Sequence, residues 1–183
     1  MGVVINEEDL GKTRLQLLTD LIYEYNGIRI PESKVVYGDP EVLDPRPDIE
    51  DDPNTIIKFH TTSDYDESFL ESSNAKLLYR RRELSTHFDK ITRPIELYVE
   101  EDTTSTHDLI EQLNFYLTYP LDPADILNIT HNTIPGQEIL TITASKKSLF
   151  WIGSANINVT YSDTQRMGML WVTNLNGFNL ASI

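Results

Sequence analysis

Cysteine is absent from all 183 residues. Disulfides, zinc–thiolate sites, iron–sulfur clusters and cysteine nucleophiles are therefore excluded. Positive charge is scarce: 15 Lys+Arg stand against 29 Asp+Glu, a formal net charge of −14. A field of that sign repels a nucleic-acid backbone. No apolar run approaches the ~20 residues of a bilayer-crossing helix. The N-terminus, Met1-Gly2-Val3-Val4-Ile5-Asn6, has neither the basic stretch nor the apolar core of a secretory signal. Without one, the sequons Asn128-Ile129-Thr130 and Asn158-Val159-Thr160 read as chance matches. Gly2 is not set for myristoylation, because Asn6 stands where that signal has Ser or Thr. What is present is ordinary for a globular chain: 39% hydrophobic, 9% aromatic and 24% charged residues.

The acidity is uneven. Residues 1–75 hold 17 acids and 6 bases, residues 76–100 hold 4 and 6, and residues 101–183 hold 8 and 3. Leu15, Leu18, Ile22 and Tyr25 repeat at helical spacing, and Leu17 and Leu21 widen the stripe. The pattern predicts a helix from about Glu7 to Tyr25, capped by Asn6 and stopped by Asn26-Gly27. An acidic, proline-rich arm or loop follows to Asn54, with one short strand at Val35-Val36-Tyr37. Strand signals then dominate. They cover Thr55–Thr62, Lys76–Glu83 with Leu77 and Tyr79 on one face, and Pro94–Val99. A polar connection, Ser63–Asn74, separates the first two. A central helix begins among Thr103, Thr104, Ser105 and Thr106, with Leu109, Ile110, Leu113 and Leu117 as its apolar face. Asp122-Pro123 opens a helical turn ending near Leu127. Leu140, Ile142 and Ala144 alternate against Ile139, Thr141 and Thr143. Ile157, Val159 and Tyr161 alternate against Asn156, Asn158 and Thr160. Gly153 marks a bulge or a close backbone approach, and Met169–Val172 is a last short run. The class is α+β: a mostly antiparallel sheet with the N-terminal and central helices packed on it. Residues 1–54 form the helix and arm and residues 55–183 the α+β domain, unless the whole chain is one domain.

Several motifs suggest chemistry. Gly11-Lys12-Thr13 follows a strand-like Val3-Val4-Ile5 and opens a helix, as a phosphate-binding loop does. The loop before it, however, is Glu7-Glu8-Asp9-Leu10, whose carboxylates repel phosphate, and Asn6 replaces the first glycine. His60, His87, His107 and His131 form no pair at metal-binding spacing. No Gly-x-Ser-x-Gly elbow exists. The acidic runs Asp48-Ile49-Glu50-Asp51-Asp52 and Asp64-Tyr65-Asp66-Glu67 have calcium-type ligands but not the EF-hand pattern. No catalytic, cofactor-binding or metal-ligating residue is assigned. Arg80-Arg81-Arg82 is the one basic cluster, and a strand would put Arg80 and Arg82 on one face with Arg81 on the other.

Four segments carry a resemblance: Tyr79-Arg80-Arg81-Arg82-Glu83-Leu84, Thr103 to Asn114 with its Thr106-His107-Asp108-Leu109 core, Leu121-Asp122-Pro123-Ala124-Asp125-Ile126, and Ser148-Leu149-Phe150-Trp151-Ile152-Gly153. Together they resemble an uncharacterised domain of virion structural proteins from large tailed bacteriophages, over roughly residues 55–155. This chain has Tyr79-Arg80-Arg81 where that family often has Tyr-Asn-Arg. The resemblance implies a non-enzymatic virion component, in head decoration, neck or tail, made in the bacterial host cytoplasm. Its expected partners are other virion proteins and copies of itself, without nucleic acid, membrane, small-molecule substrate or cofactor. The competing reading is an acidic adaptor for a basic protein. The interface candidates are Arg80 and Arg82 in the basic cluster, and Phe178, Leu180 and Ile183 in an uncharged tail that follows Arg166.

Overall fold

A computed structural model of the chain describes residues 3–46, 49, 52–62, 75–99, 103–133 and 136–162. The first helical segment splits at Gly11, which corrects the single helix expected from Glu7 to Tyr25. A 3-10 turn, Glu7–Gly11, starts after Asn6, whose N–H donates to Asp9 Oδ2 at 2.7 Å. Lys12 is extended. Thr13 then caps a new helix, α1, Arg14–Asn26. Thr13 Oγ1 accepts from Gln16 N–H, and Gln16 Oε1 accepts from Thr13 N–H, a reciprocal capping box. Gly27 ends the helix at φ 69°, in the left-handed region that glycine adopts without strain. Leu17, Leu18, Leu21 and Ile22 are buried as the stripe requires.

The larger sheet is built on β4, Thr55–Thr61, the strand expected there. On one side β5, Ala75–Arg80, pairs antiparallel, and β1, Val3–Val4, lies parallel outside β5. On the other side β2, Val35–Tyr37, and β3, Glu41–Val42, pair antiparallel along the same edge of β4. Tyr37 faces Phe59 and Glu41 faces Ile56, so the β2–β3 side holds one residue more than β4 between those pairs. That extra residue makes a bulge at Gly38-Asp39-Pro40, which a proline tolerates on a sheet edge.

The expected strand Lys76–Glu83 ends early, at Arg80. It resumes as β6, Arg82–Glu83, which leads into a short helix, α2, Leu84–Phe88. A smaller sheet has the order β10–β12–β7, from Gly136–Thr143, Ser154–Ser162 and Ile95–Tyr98. β10 and β12 are antiparallel; β12 and β7 are parallel. β8, Thr103–Ser105, pairs with β9, Thr130–Asn132, and β11, Trp151–Ile152, pairs with β6. The central helix, α3, Thr106–Asn114, buries Leu109, Ile110 and Leu113. The fold is α+β with mostly antiparallel pairing. Buried side chains of α1, α2, α3 and both sheets form one hydrophobic cluster. Met169–Val172 and the tail candidates Phe178, Leu180 and Ile183 lie outside the described residues.

Candidate functional site

The period of β5 carries the site. Leu77, Tyr79 and Arg81 share its inner face, and Arg81 follows the two apolar side chains into the core at 2% exposure. The β4–β5 register would place Pro53 opposite Arg81. Proline has no N–H to offer, and the ladder ends there. The side chain of Asn54 completes the pairing instead: Oδ1 accepts from Arg81 N–H at 2.8 Å, and Nδ2 donates to Arg81 O at 2.9 Å. Thr55 Oγ1 donates to Asn54 Oδ1 and accepts from Arg81 Nε, both at 2.8 Å.

The guanidinium then crosses to the loop before β11. Arg81 Nη1 donates to Ser148 O at 2.7 Å. Ser148 Oγ accepts from Phe150 and Trp151 N–H at 3.2 and 3.0 Å, while Ser148 N–H donates to Ser145 O at 3.0 Å and Ser145 N–H donates to Asp125 O at 2.7 Å. Asp125 is 3% exposed and takes an ion pair from Arg14 of α1 at 2.9 Å. Burial pushes its carboxyl above the ordinary range, and Arg14 opposes that shift. Arg81 has no carboxylate within ion-pair distance among the described residues, and its Nη2 has no hydrogen-bond partner. Burial lowers its pKa, yet an arginine stays protonated at neutral pH. The Tyr79 hydroxyl is likewise buried without a partner, and its pKa is raised, chiefly by burial. One chain of polar contacts therefore runs Arg14–Asp125–Ser145–Ser148–Arg81–Thr55–Asn54 and ties α1 to the larger sheet and to the loop before β11.

The other expectations resolve around this node. Lys12 of Gly11-Lys12-Thr13 bonds Asp9 and Asp20 at 2.8 and 2.7 Å, which raises its pKa, while Thr13 is a helix cap. Neither is free for a phosphate. His87 Nε2–H donates to Tyr119 O at 2.8 Å, and its ring lies 4.6 Å from that of Trp151. His107 Nε2–H donates to Ile126 O at 3.0 Å, and His131 Nε2 bonds Thr106 Oγ1 at 2.7 Å. Burial lowers the pKa of His87 and of His131. No group of three His, Asp or Glu is set to hold a metal among the described residues.

Of the interface candidates, Arg80 ends β5 and Arg82 opens β6 in a different sheet, both half-buried, so the single strand expected to carry them on one face is broken between them. Arg80 Nη1 donates to Asp52 O at 3.1 Å. Arg82 Nη2 lies 3.6 Å from Glu7 Oε1, which Lys90 also engages. Arg82, Glu7 and Lys90 line a cleft of about 50 Å³ with Thr86, His87 and Tyr119. A wider hollow of about 680 Å³ opens beside the smaller sheet, against Pro94, Ile95, Gln137, Ile139, Asn158 and Thr160. Sequence reasoning missed Arg81 as a buried residue, although its spacing from Leu77 and Tyr79 carried the signal. It also missed Asn54, for which the only hint was the proline before it.

Arg81, Asp125 and Ser148 belong to different short motifs, and the fold makes them neighbours. Comparison with curated proteins and with solved structures gave no match. A family match does extend across both halves of the molecule and takes in every residue of the node: the chain belongs to the family of unknown function DUF7941, over residues 7–180.

Proposed function

We propose that this chain is a non-enzymatic structural component of a tailed-phage virion, in head decoration, neck or tail. It would act through interfaces with copies of itself and with other virion proteins, after synthesis in the bacterial host cytoplasm. One observation supports the reading. The segments that resemble phage virion proteins contribute their polar residues to internal cross-links. Arg81, Asp125 and Ser148 join in the node, and Ser105 and Asp108 cap α3. Residues used in this way make a rigid module suited to repetition in a particle.

Mass spectrometry of purified particles tests the proposal. The expected result is this chain at a fixed copy number per particle, retained through a density gradient. Its absence from particles, with the protein present in the infected-cell lysate, would overturn it.

A further inference from the structure

The smaller sheet turns one face to the core and the other to the hollow of about 680 Å³. Alternation decides which side chains stand there. Leu140, Ile142, Ile157, Val159 and Tyr161 are buried, so Gln137, Ile139, Thr141, Asn156, Asn158 and Thr160 point outward. The register sets them in rows. Ile139 faces Asn158, and Pro94, one residue before the Ile95–Val159 pair, continues that row on the far side of Asn158. Thr141 and Asn156 form the next row in one direction, and Gln137, Thr160 and Glu96 the next in the other. A second hollow of about 350 Å³ meets the first at Pro94, Ile95 and Asn158.

The polar groups of this face are unused by the fold. Asn156 Oδ1 accepts from Thr141 Oγ1 at 2.9 Å, which fixes the amide and leaves Nδ2 with both hydrogens. The side chains of Gln137, Asn158 and Thr160 have no hydrogen-bond partner among the described residues. Three amides and a hydroxyl thus present donors and acceptors together. Ile139, 68% exposed, and Pro94, also exposed, lie as apolar ground on either side of the central amide.

None of the six outward side chains is charged, in a chain of net charge −14. The charged groups around them do not suit an ion. Glu96 and Asp89 at the margin repel an anion. Glu138 lies on the Leu140 side of β10, where burial and then the Glu138 charge raise the Tyr161 pKa. Arg93 is engaged by Phe115 O and by the Tyr116 ring. No three acids or histidines converge on a cation among the described residues. An apolar ligand would strip water from three amides and return no hydrogen bond. A peptide strand pairs through a sheet edge, and this is a face of side-chain amides.

We infer that this hollow binds an uncharged oligosaccharide. A pyranose ring matches it: its C–H face is apolar, and the hydroxyls around its rim both donate and accept. The ring lies against Ile139 and Pro94, and the amides of Asn156, Asn158 and Gln137 share its hydroxyls. Outward positions recur about every 7 Å along a strand, so Asn156, Asn158 and Thr160 serve successive sugars of a chain. Among the described residues no aromatic ring lines the larger hollow. Stacking is therefore weak, and dissociation falls at roughly 0.1–1 mM. The inference goes beyond the virion reading and holds or fails without it.

Saturation-transfer NMR with the full chain tests it. The panel holds uncharged hexasaccharides of glucose, galactose, mannose and N-acetylglucosamine, with a sialylated and a sulfated oligosaccharide for comparison. Transfer to an uncharged sugar is expected, and none to the charged pair. Asn158→Ala removes the central amide, and Ile139→Ala removes apolar ground beside it. Both positions face solvent, so the circular dichroism spectrum should not change, and each variant should weaken binding about fivefold or more. Absence of transfer to every sugar in the panel overturns the inference. So does binding of the charged sugars at equal or greater strength, or binding that both substitutions leave unchanged.

Discussion

Arg81 joins the larger sheet, through Thr55, to the loop before β11, through Ser148. Its guanidinium satisfies Thr55 Oγ1 and Ser148 O at once, so truncation leaves two buried acceptors and a void. Arg81→Ala should cost about 3–5 kcal/mol in urea unfolding, from the cavity and the lost hydrogen bonds together. Arg81→Met fills most of the volume and removes a buried charge that has no counter-ion among the described residues. It should cost clearly less, about 1–2 kcal/mol. Equal losses in the two variants would show that volume is not what Arg81 supplies. The histidines set a pH dependence. Burial lowers the pKa of His87 and His131 below the unfolded value near 6.5. As pH falls through that value the unfolded chain takes up protons first, and stability is lost from about pH 7 downward. Asp125 has the opposite sign, since its raised folded pKa returns stability as pH falls toward its own titration. The thermal midpoint should therefore drop between pH 7.5 and 5.5, roughly the window set by an unperturbed histidine, and His87→Gln should flatten the drop.

The elements owe their limits to particular side chains. Ser105 caps α3 and Asp108 returns the bond; Thr13 and Gln16 do the same for α1. Ser105→Ala should cost about 1 kcal/mol, whereas Thr103→Ala and Thr104→Ala, outside the cap, should cost a few tenths at most. Chemical denaturation of the three variants separates the cap from its neighbours. The turn from β11 to β12 depends on Gly153, at φ 82°, where an added Cβ would sit 2.7 Å from Glu83 Oε2. Gly153→Ala should cost roughly 1–3 kcal/mol, because the left-handed backbone remains strained even after Glu83 moves aside. Adding Glu83→Ala should recover only the part due to the clash. The glycine and the cap region were both legible in the sequence. The break of the first helix was not: the acidic residues after Asn6 read as the first turn of the same helix, and only the capping box shows that Thr13 starts a new element.

The charge of the whole molecule gives a further expectation. At −14, with Arg82 and Lys90 both drawn to Glu7 and Arg80 bonded to Asp52 O, the basic cluster offers no free stripe for a phosphate backbone. A gel shift with duplex DNA at micromolar protein and physiological salt should show no complex, and a salt-sensitive shift would contradict this. The same scale separates what the chain determines alone from what folding adds. Composition, the period-two strands and the helix caps are local properties. They fix the α+β class, the inward faces of β4, β5, β7 and β12, and the start of α3, because each depends on neighbours a few residues away. The meeting of Arg14, Arg81, Asp125 and Ser148 spans sequence separations of up to 134 residues, Arg14 to Ser148. No local rule reaches that far. Sheet order, the parallel pairings and the depth of Arg81 were decided only when the two halves packed. A strand's period tells which side chains share a face, and tertiary packing alone tells which face loses its water.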